Sequence, residues 1–210
     1  VYTKQKKYHE AVHHYTRAIA MRPITPDHVR TYNFRGTAYS RLGRKKDAIR
    51  DFNEAIRLDR RDYRAYNNRG LLYAETGMHR QALQDFNQAV LMNPNNAELY
   101  KNRGIACASL KLYQNAFEDF EKALTLVPDD ANIYYNRGVA YIELGRHQEA
   151  FSDFNEAIRL KADYTNAYHY RGGIYLMYGY AASGCDDARK ACQLGNCEIL
   201  EAAGSKNLCR

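Results

Sequence analysis

Apolar and small residues recur along this chain at helical spacings, in pairs of segments. In residues 63–96, YRAYNNRGLLYAETGMHRQALQDFNQAVLMNPNN, Tyr66, Gly70 and Tyr73 fall on one face of a first helix. Gly77 interrupts that pattern. Ala82, Phe86 and Ala89 then mark one face of a second helix, and Pro94 stops it. Neither helix is apolar enough to stand alone, but side by side they bury a common seam. The unit recurs. An Arg-Gly pair places glycines at Gly36, Gly70, Gly104, Gly138 and Gly172, each 34 residues after the last. A fixed period in this range predicts an all-α solenoid of stacked helix pairs, each touching only its neighbours.

The positions around those glycines carry a resemblance. Tyr32, Tyr66, Tyr100, Tyr134 and Tyr168 precede them, and Tyr39, Tyr73, Tyr141 and Tyr175 follow, with Cys107 at the remaining such place, between Tyr73 and Tyr141. The second helices carry Ala48, Ala82, Ala116 and Ala150, then Phe52, Phe86, Phe120 and Phe154, then Ala55, Ala89, Ala123, Ala157 and Ala191. This pattern resembles the tetratricopeptide repeat family over nearly the whole chain. The resemblance implies a right-handed superhelical array of antiparallel helix pairs and a protein-binding role, without naming the partner.

The period divides the chain into repeats at 29–62, 63–96, 97–130 and 131–164, and a degenerate repeat at 165–196 with Gly184 and Ala188 in place of Ala and Phe. Residues 1–23 read as a truncated first repeat: Tyr8, Ala11, Tyr15, Ala18 and Pro23 fit a second helix, and Tyr2 fits the end of a first one. The chain is thus expected to start mid-element, leaving an apolar helix face for a homo-oligomeric contact. Residues 24–28 are an inserted turn with Pro26, and Asp27 suits the next N-cap. Residues 197–210 form a cap and tail, with a short helix from about Cys197 to Ala203 stopped by Gly204 and Ser205.

One departure from the family pattern is regular. Its usual leucine place holds Arg35, Arg69, Arg103, Arg137 and Arg171, and sixteen residues later stand Asp51, Asp85, Asp119, Asp153 and Asp187. An arginine turned toward a helix seam needs a hydrogen-bonded counter-charge, so these read as Arg–Asp bridges within each repeat. A row of anion-binding arginines is the alternative.

In the family's geometry the first helix of each repeat lines the concave surface. The resemblance places there the rows Asn33, Asn67, Lys101, Tyr135 and His169; Phe34, Asn68, Asn102, Asn136 and Tyr170; and Thr37, Leu71, Ile105 and Val139. Asn68, Asn102 and Asn136 form an asparagine ladder beside an apolar strip. Carboxamides donate to and accept from a peptide backbone, so an extended peptide segment is the expected ligand. The sugar-transferase members of the family carry a related ladder, which implies the same mode. Plain solvation of the groove is the alternative reading. The family's two-carboxylate clamp for chaperone tails needs an asparagine after the glycine. That place holds Thr37, Leu71, Ile105 and Val139, so the clamp is not expected.

The net charge is +7, from 31 Lys and Arg against 24 Asp and Glu, and the basic residues are scattered through the turns. Nucleic acid is therefore not the expected partner. Nineteen tyrosines invite a base-stacking reading, yet nine occupy the two internal aromatic places. No apolar run approaches the roughly 18 residues of a membrane span. No Gly-rich phosphate loop or other catalytic motif is present, and no cofactor is expected. His9 and His13 lie one turn apart with His14 adjacent, but solvated side chains explain them as well as a metal does. Cys107 reads as a small core residue.

Cys185, Cys192, Cys197 and Cys209 crowd the end of the chain. Cys185 and Cys192 lie ~10.5 Å apart along one helix, too far to bridge. That leaves Cys192–Cys197 with Cys185–Cys209, or Cys185–Cys197 with Cys192–Cys209, beside reduced thiols or a four-thiolate metal site. The stretch KACQLGNCEILE is similar to the cysteine-bridged Sel1-like relatives. Bridges would staple the cap and imply an oxidising, exported or periplasmic compartment; reduced thiols would suit the cytoplasm.

Overall fold

The structure, a computed structural model, describes residues 2–21 and 28–209, with side chains from Gln5 onward. Among them are twelve helices and no strand. They run α1 (Tyr2–Ala20), α2 (His28–Arg41), α3 (Lys45–Leu58), α4 (Tyr63–Glu75), α5 (His79–Met92), α6 (Ala97–Ser109), α7 (Tyr113–Leu126), α8 (Ala131–Glu143), α9 (His147–Leu160), α10 (Thr165–Met177), α11 (Ala181–Gln193) and α12 (Glu198–Ser205). The chain folds as two compact units, Val1–Leu112 and Tyr113–Arg210. The side chain of Tyr2, and Pro23, Pro26 and Asp27, lie outside the described residues.

In the N-terminal unit α1 packs on α2, and the pairs α2–α3 and α4–α5 stack on each other and on α6. First helices also touch first helices, α2 against α4 and α4 against α6, so they share one face. In the C-terminal unit α7 leads into the pairs α8–α9 and α10–α11, and α12 lies against both α10 and α11.

Why helices pair this way follows from one close approach. A Cβ added at Gly36 would meet the Phe52 ring at 2.7 Å, and at Gly70 and Gly138 it would meet Phe86 and Phe154 at 2.8 Å. Only a bare backbone lets each fully buried phenylalanine lie across the seam. In the last pair the roles reverse. Gly184 admits Leu176 at a distance that would be 2.6 Å from a Cβ, and Ala188 replaces the phenylalanine.

Three-residue turns join the helices of each pair. Their left-handed position is glycine at Gly43, Gly77, Gly145 and Gly179, but at the equivalent place Lys111 takes φ 61°. Asp62, Asn96 and Asp130 cap α4, α6 and α8 by accepting from the N–H two residues on. The last helix differs from the sequence expectation. It runs through Gly204 to Ser205, because the left-handed residue that ends it is Asn207 at φ 55°.

Candidate functional site

The arginine of each repeat sits at the centre of a repeated cluster. Arg35 donates from Nε and Nη2 to the two oxygens of Asp51, both at 2.7 Å. Arg69 binds Asp85 at 2.8 and 2.6 Å, Arg137 binds Asp153 at 2.9 and 2.7 Å, and Arg171 binds Asp187 at 2.7 Å twice. All four acids are buried. Hydrogen bonds donated to the carboxylates raise the pKa of Arg35, Arg69, Arg137 and Arg171. Burial pushes the Asp153 carboxyl up against the opposing pull of Arg137. Arg103 and Asp119 belong to different units. Within its own unit Arg103 donates to Asn87 at 3.1 Å, and Asp119 is buried in the other.

Two further features of this cluster are not apparent from the arginine–aspartate spacing. Each guanidinium stands over the first tyrosine of its repeat, 5.5 Å from the ring centroid at Arg35–Tyr32, Arg103–Tyr100 and Arg171–Tyr168. The free Nη1 reaches back one repeat: Arg69 to Asn53 at 2.5 Å, Arg103 to Asn87, and Arg171 to Asn155 at 2.7 Å. The signal for this was present, since an asparagine follows the phenylalanine at all three places. The arginine thus clamps its own helix pair and ties it to the preceding one. At Arg69 and Arg171 each of the three guanidinium nitrogens donates to a neighbouring side chain, so the structure gives these arginines bridging partners.

The asparagines of the first helices are not an open ladder in the N-terminal unit. Asn33 and Asn102 are buried, at 6% and 5% exposure. Asn68 donates to Asn33 at 2.8 Å, and Asn102 donates to Asn67 at 3.0 Å. Asn33 in turn donates to the buried Asp62 at 3.4 Å. A buried carboxamide needs partners, and a residue one place off register in the neighbouring repeat supplies them. Asn67 and Asn68 remain half-buried, Ile105 likewise, and Leu71 is 43% exposed. Lys101 pairs with Glu98. A cleft of about 550 Å³ opens on this face, lined by Thr37, Ser40, Arg41, Asn68, Leu71 and Glu75.

In the C-terminal unit the same face is aromatic. Tyr135, Asn136 and Val139 are half-buried, and Asn136 donates to its own helix at the Asn132 carbonyl. Tyr135 lies 5.0 Å from the Tyr164 ring and 6.0 Å from that of Tyr170. Burial, supported by the Tyr170 neighbour, pushes the Tyr135 hydroxyl up to about 12. Tyr164 is raised further, again chiefly by burial.

At the end of the chain Cys185 is bridged to Cys209 and Cys192 to Cys197. Cys107 is a buried free thiol. On α1, His13 and His14 meet edge to face at 6.0 Å. Among the described residues no group of three metal-ligating side chains occurs. No described helix is long and apolar enough to cross a membrane.

These features define a repeat array of helix pairs whose first helices present a mixed carboxamide and apolar face. A tetratricopeptide repeat model matches residues 1–61 and 95–163, and a second matches 63–96. The chain belongs to the tetratricopeptide repeat family, a protein-interaction scaffold fold. Solved structures agree in fold. A tetratricopeptide repeat protein from Parabacteroides merdae superposes with TM-score 0.79 at 23% identity, covering 93% of this chain and 76% of that one. YrrB, described as a TPR protein with an unusual peptide-binding site, gives 0.67 at 20%, covering 90% and 97%. MamA from Desulfovibrio magneticus gives 0.70 at 20%, covering 79% and 94%. A search of curated protein sequences finds no match.

Proposed function

We propose that this chain is a non-enzymatic scaffold that binds an extended peptide segment along the face of its first helices. The observation that carries the reading is the cleft between α2 and α4. It sets the exposed Leu71 beside the half-buried carboxamide of Asn68 and the hydroxyls of Thr37 and Ser40. An apolar contact with a few convergent polar groups is the usual make-up of a recognition site. Within the N-terminal unit the half-buried residues Asn67, Lys101 and Ile105 extend the proposed contact, and Asn33 and Asn102 support it from below; in the C-terminal unit Tyr135, Asn136 and Val139 are proposed as a peptide contact of their own. The peptide-binding site of YrrB is in keeping with this reading. The bridged C-terminal helix is proposed as a Sel1-like cap that closes the array.

Selection of extended peptides from a displayed library tests it. Peptides enriched on the parent chain should bind Leu71→Asp at least about tenfold more weakly, the size expected for a buried hot-spot contact. Equal binding by Leu71→Asp would remove the site from this face.

A second reading is self-association, and one observation favours it. Residues 1–112 carry 21 Lys and Arg against 10 Asp and Glu, net +11; residues 113–210 carry 10 against 14, net −4. Opposite charge on the two units suits head-to-tail contact between copies. Light scattering would then give a mass that falls toward the monomer as salt rises.

A further inference from the structure

The turns between helices hold an arginine in a slot on a tyrosine ring at two places three repeat periods apart, with Met78 and Leu112 at the equivalent places between them. In the α8–α9 pair Arg146 leaves the turn and lies 4.6 Å from the Tyr141 centroid and 5.8 Å from that of Phe117. Those two rings stack at 4.4 Å, and Glu149 holds the guanidinium at 2.7 Å. In the α2–α3 pair Arg44 does the same, 4.3 Å from the Tyr39 centroid and 2.8 Å from Asp47. The chain thus shows twice what this slot accepts: a planar cation laid on a ring and steadied by an acid.

One period after Arg146 the places change. Phe117 and Tyr141 become Phe151 and Tyr175, so both rings are kept. Arg146 becomes Tyr180 and Glu149 becomes Ser183. Phe151 and Tyr175 meet edge to face at 5.0 Å, and Tyr180 meets Tyr175 at 6.2 Å and 78°. Tyr178 adds a fourth ring, edge to face with His147. Between these rings, with Gln148 at the side, is a pocket of about 360 Å³ lined by no Lys or Arg. Tyr178 and Tyr180 are 58% and 64% exposed, so it opens to solvent. Its volume falls at the small end of the usual range for ligand sites, about 300–1,000 Å³.

We propose that this pocket receives an arginine side chain from a basic segment of a partner protein. Four rings line the pocket, and a cation is attracted to the π face of such a ring, as in the filled slots with fewer rings. The net charge of −4 on residues 113–210 attracts a basic segment toward it. Because none of its residues lines the α2–α4 cleft, the proposal stands or falls apart from the peptide-face reading.

The test uses the full chain with ¹³C-labelled Phe and Tyr rings and a capped Gly-Arg-Gly-Arg-Gly peptide. The arginine peptide should shift the ring signals of Phe151, Tyr175, Tyr178 and Tyr180 saturably. Its citrulline counterpart, planar but uncharged, should bind at least about fivefold more weakly. Tyr178→Ala with Tyr180→Ala should abolish the shifts, with circular dichroism and the Phe117 and Tyr141 signals unchanged. Tyr180→Arg with Ser183→Glu refills the slot from within and should also block the peptide. Equal binding of the citrulline peptide, unmoved rings, or shifts that survive in both variants would overturn the proposal. So would the same ring shifts on simple concentration of the free chain, since the occupant would then be a second copy.

Discussion

Breaking the Arg69–Asp85 bridge should cost different amounts depending on which partner is removed. The Asp85 side chain is 6% exposed and that of Arg69 is 19% exposed. Arg69→Ala strands a buried carboxylate with no counter-charge, and removing one partner of a buried pair costs about 3–5 kcal/mol. Its place at the helix seam puts this variant toward the upper end. Asp85→Ala leaves a guanidinium that keeps its bond to Asn53 and stands 5.8 Å from the rings of Tyr66 and Tyr73. It can also turn toward water, so about 3 kcal/mol is expected. Replacing both, with Arg69→Met and Asp85→Leu, should return the stability to within about 1 kcal/mol of the parent. Urea unfolding followed by helical circular dichroism gives the free energies. Because a repeat array need not unfold as one unit, amide exchange on α4 and α5 should accompany it. Losses below about 1 kcal/mol for both single variants would refute the reasoning, since that is the range of a solvent-exposed pair. A larger loss for Asp85→Ala than for Arg69→Ala would refute the assigned asymmetry.

Four other outcomes follow from the geometry. Gly70→Ala drives a methyl to 2.8 Å from the Phe86 ring; overpacking of about 1–3 kcal/mol should outweigh the gain of about 1 kcal/mol in helix propensity, and in a Phe86→Leu background thermal melts should show the penalty gone. Lys111→Gly should stabilise by about 0.5–1 kcal/mol in urea titration, because glycine adopts the left-handed backbone freely. Tyr135 is protonated more firmly in the folded chain than its ordinary value of 10.0, so stability is full below pH 10 and falls as pH rises toward about 12; Tyr135→Phe should flatten that fall in alkaline melts. Reduction by a dithiol opens a loop of 24 residues at Cys185–Cys209, costing about 3 kcal/mol locally; amide exchange should rise in α12 and not in α4 or α5.

The repeat was legible because its physics is periodic. Gly70 and Phe86 stand sixteen residues apart, as do Arg69 and Asp85, and spacing of that kind survives in a bare sequence. The asparagine network was not legible in the same way. Its bonds join Asn68 to Asn33 and Asn102 to Asn67, a spacing of 35, so an alignment in rows of 34 places the partners in different rows. The buried Asn33 donates to Asp62, the acid that caps the first helix of the next repeat and stands in neither asparagine row. The end of α12 was misplaced because Gly204 reads as a stop in sequence, whereas the backbone assigns that turn to Asn207. The aromatic pocket at Tyr175 stands out only when its turn is compared with the arginine-filled turns, where distances to ring centroids define the slot.

The backward reach of the arginines bears on how such a chain can change length. Arg69, Arg103 and Arg171 each find an asparagine sixteen residues upstream. A gene duplication that copies, in register, a 34-residue cassette carrying both this arginine and this asparagine re-creates the same join. No guanidinium is orphaned at the splice, and no new pairing must evolve before the lengthened protein folds. The connector is copied with the part it connects, so growth by tandem copying is structurally neutral at the seam, and selection is left to act on the faces that each added copy exposes.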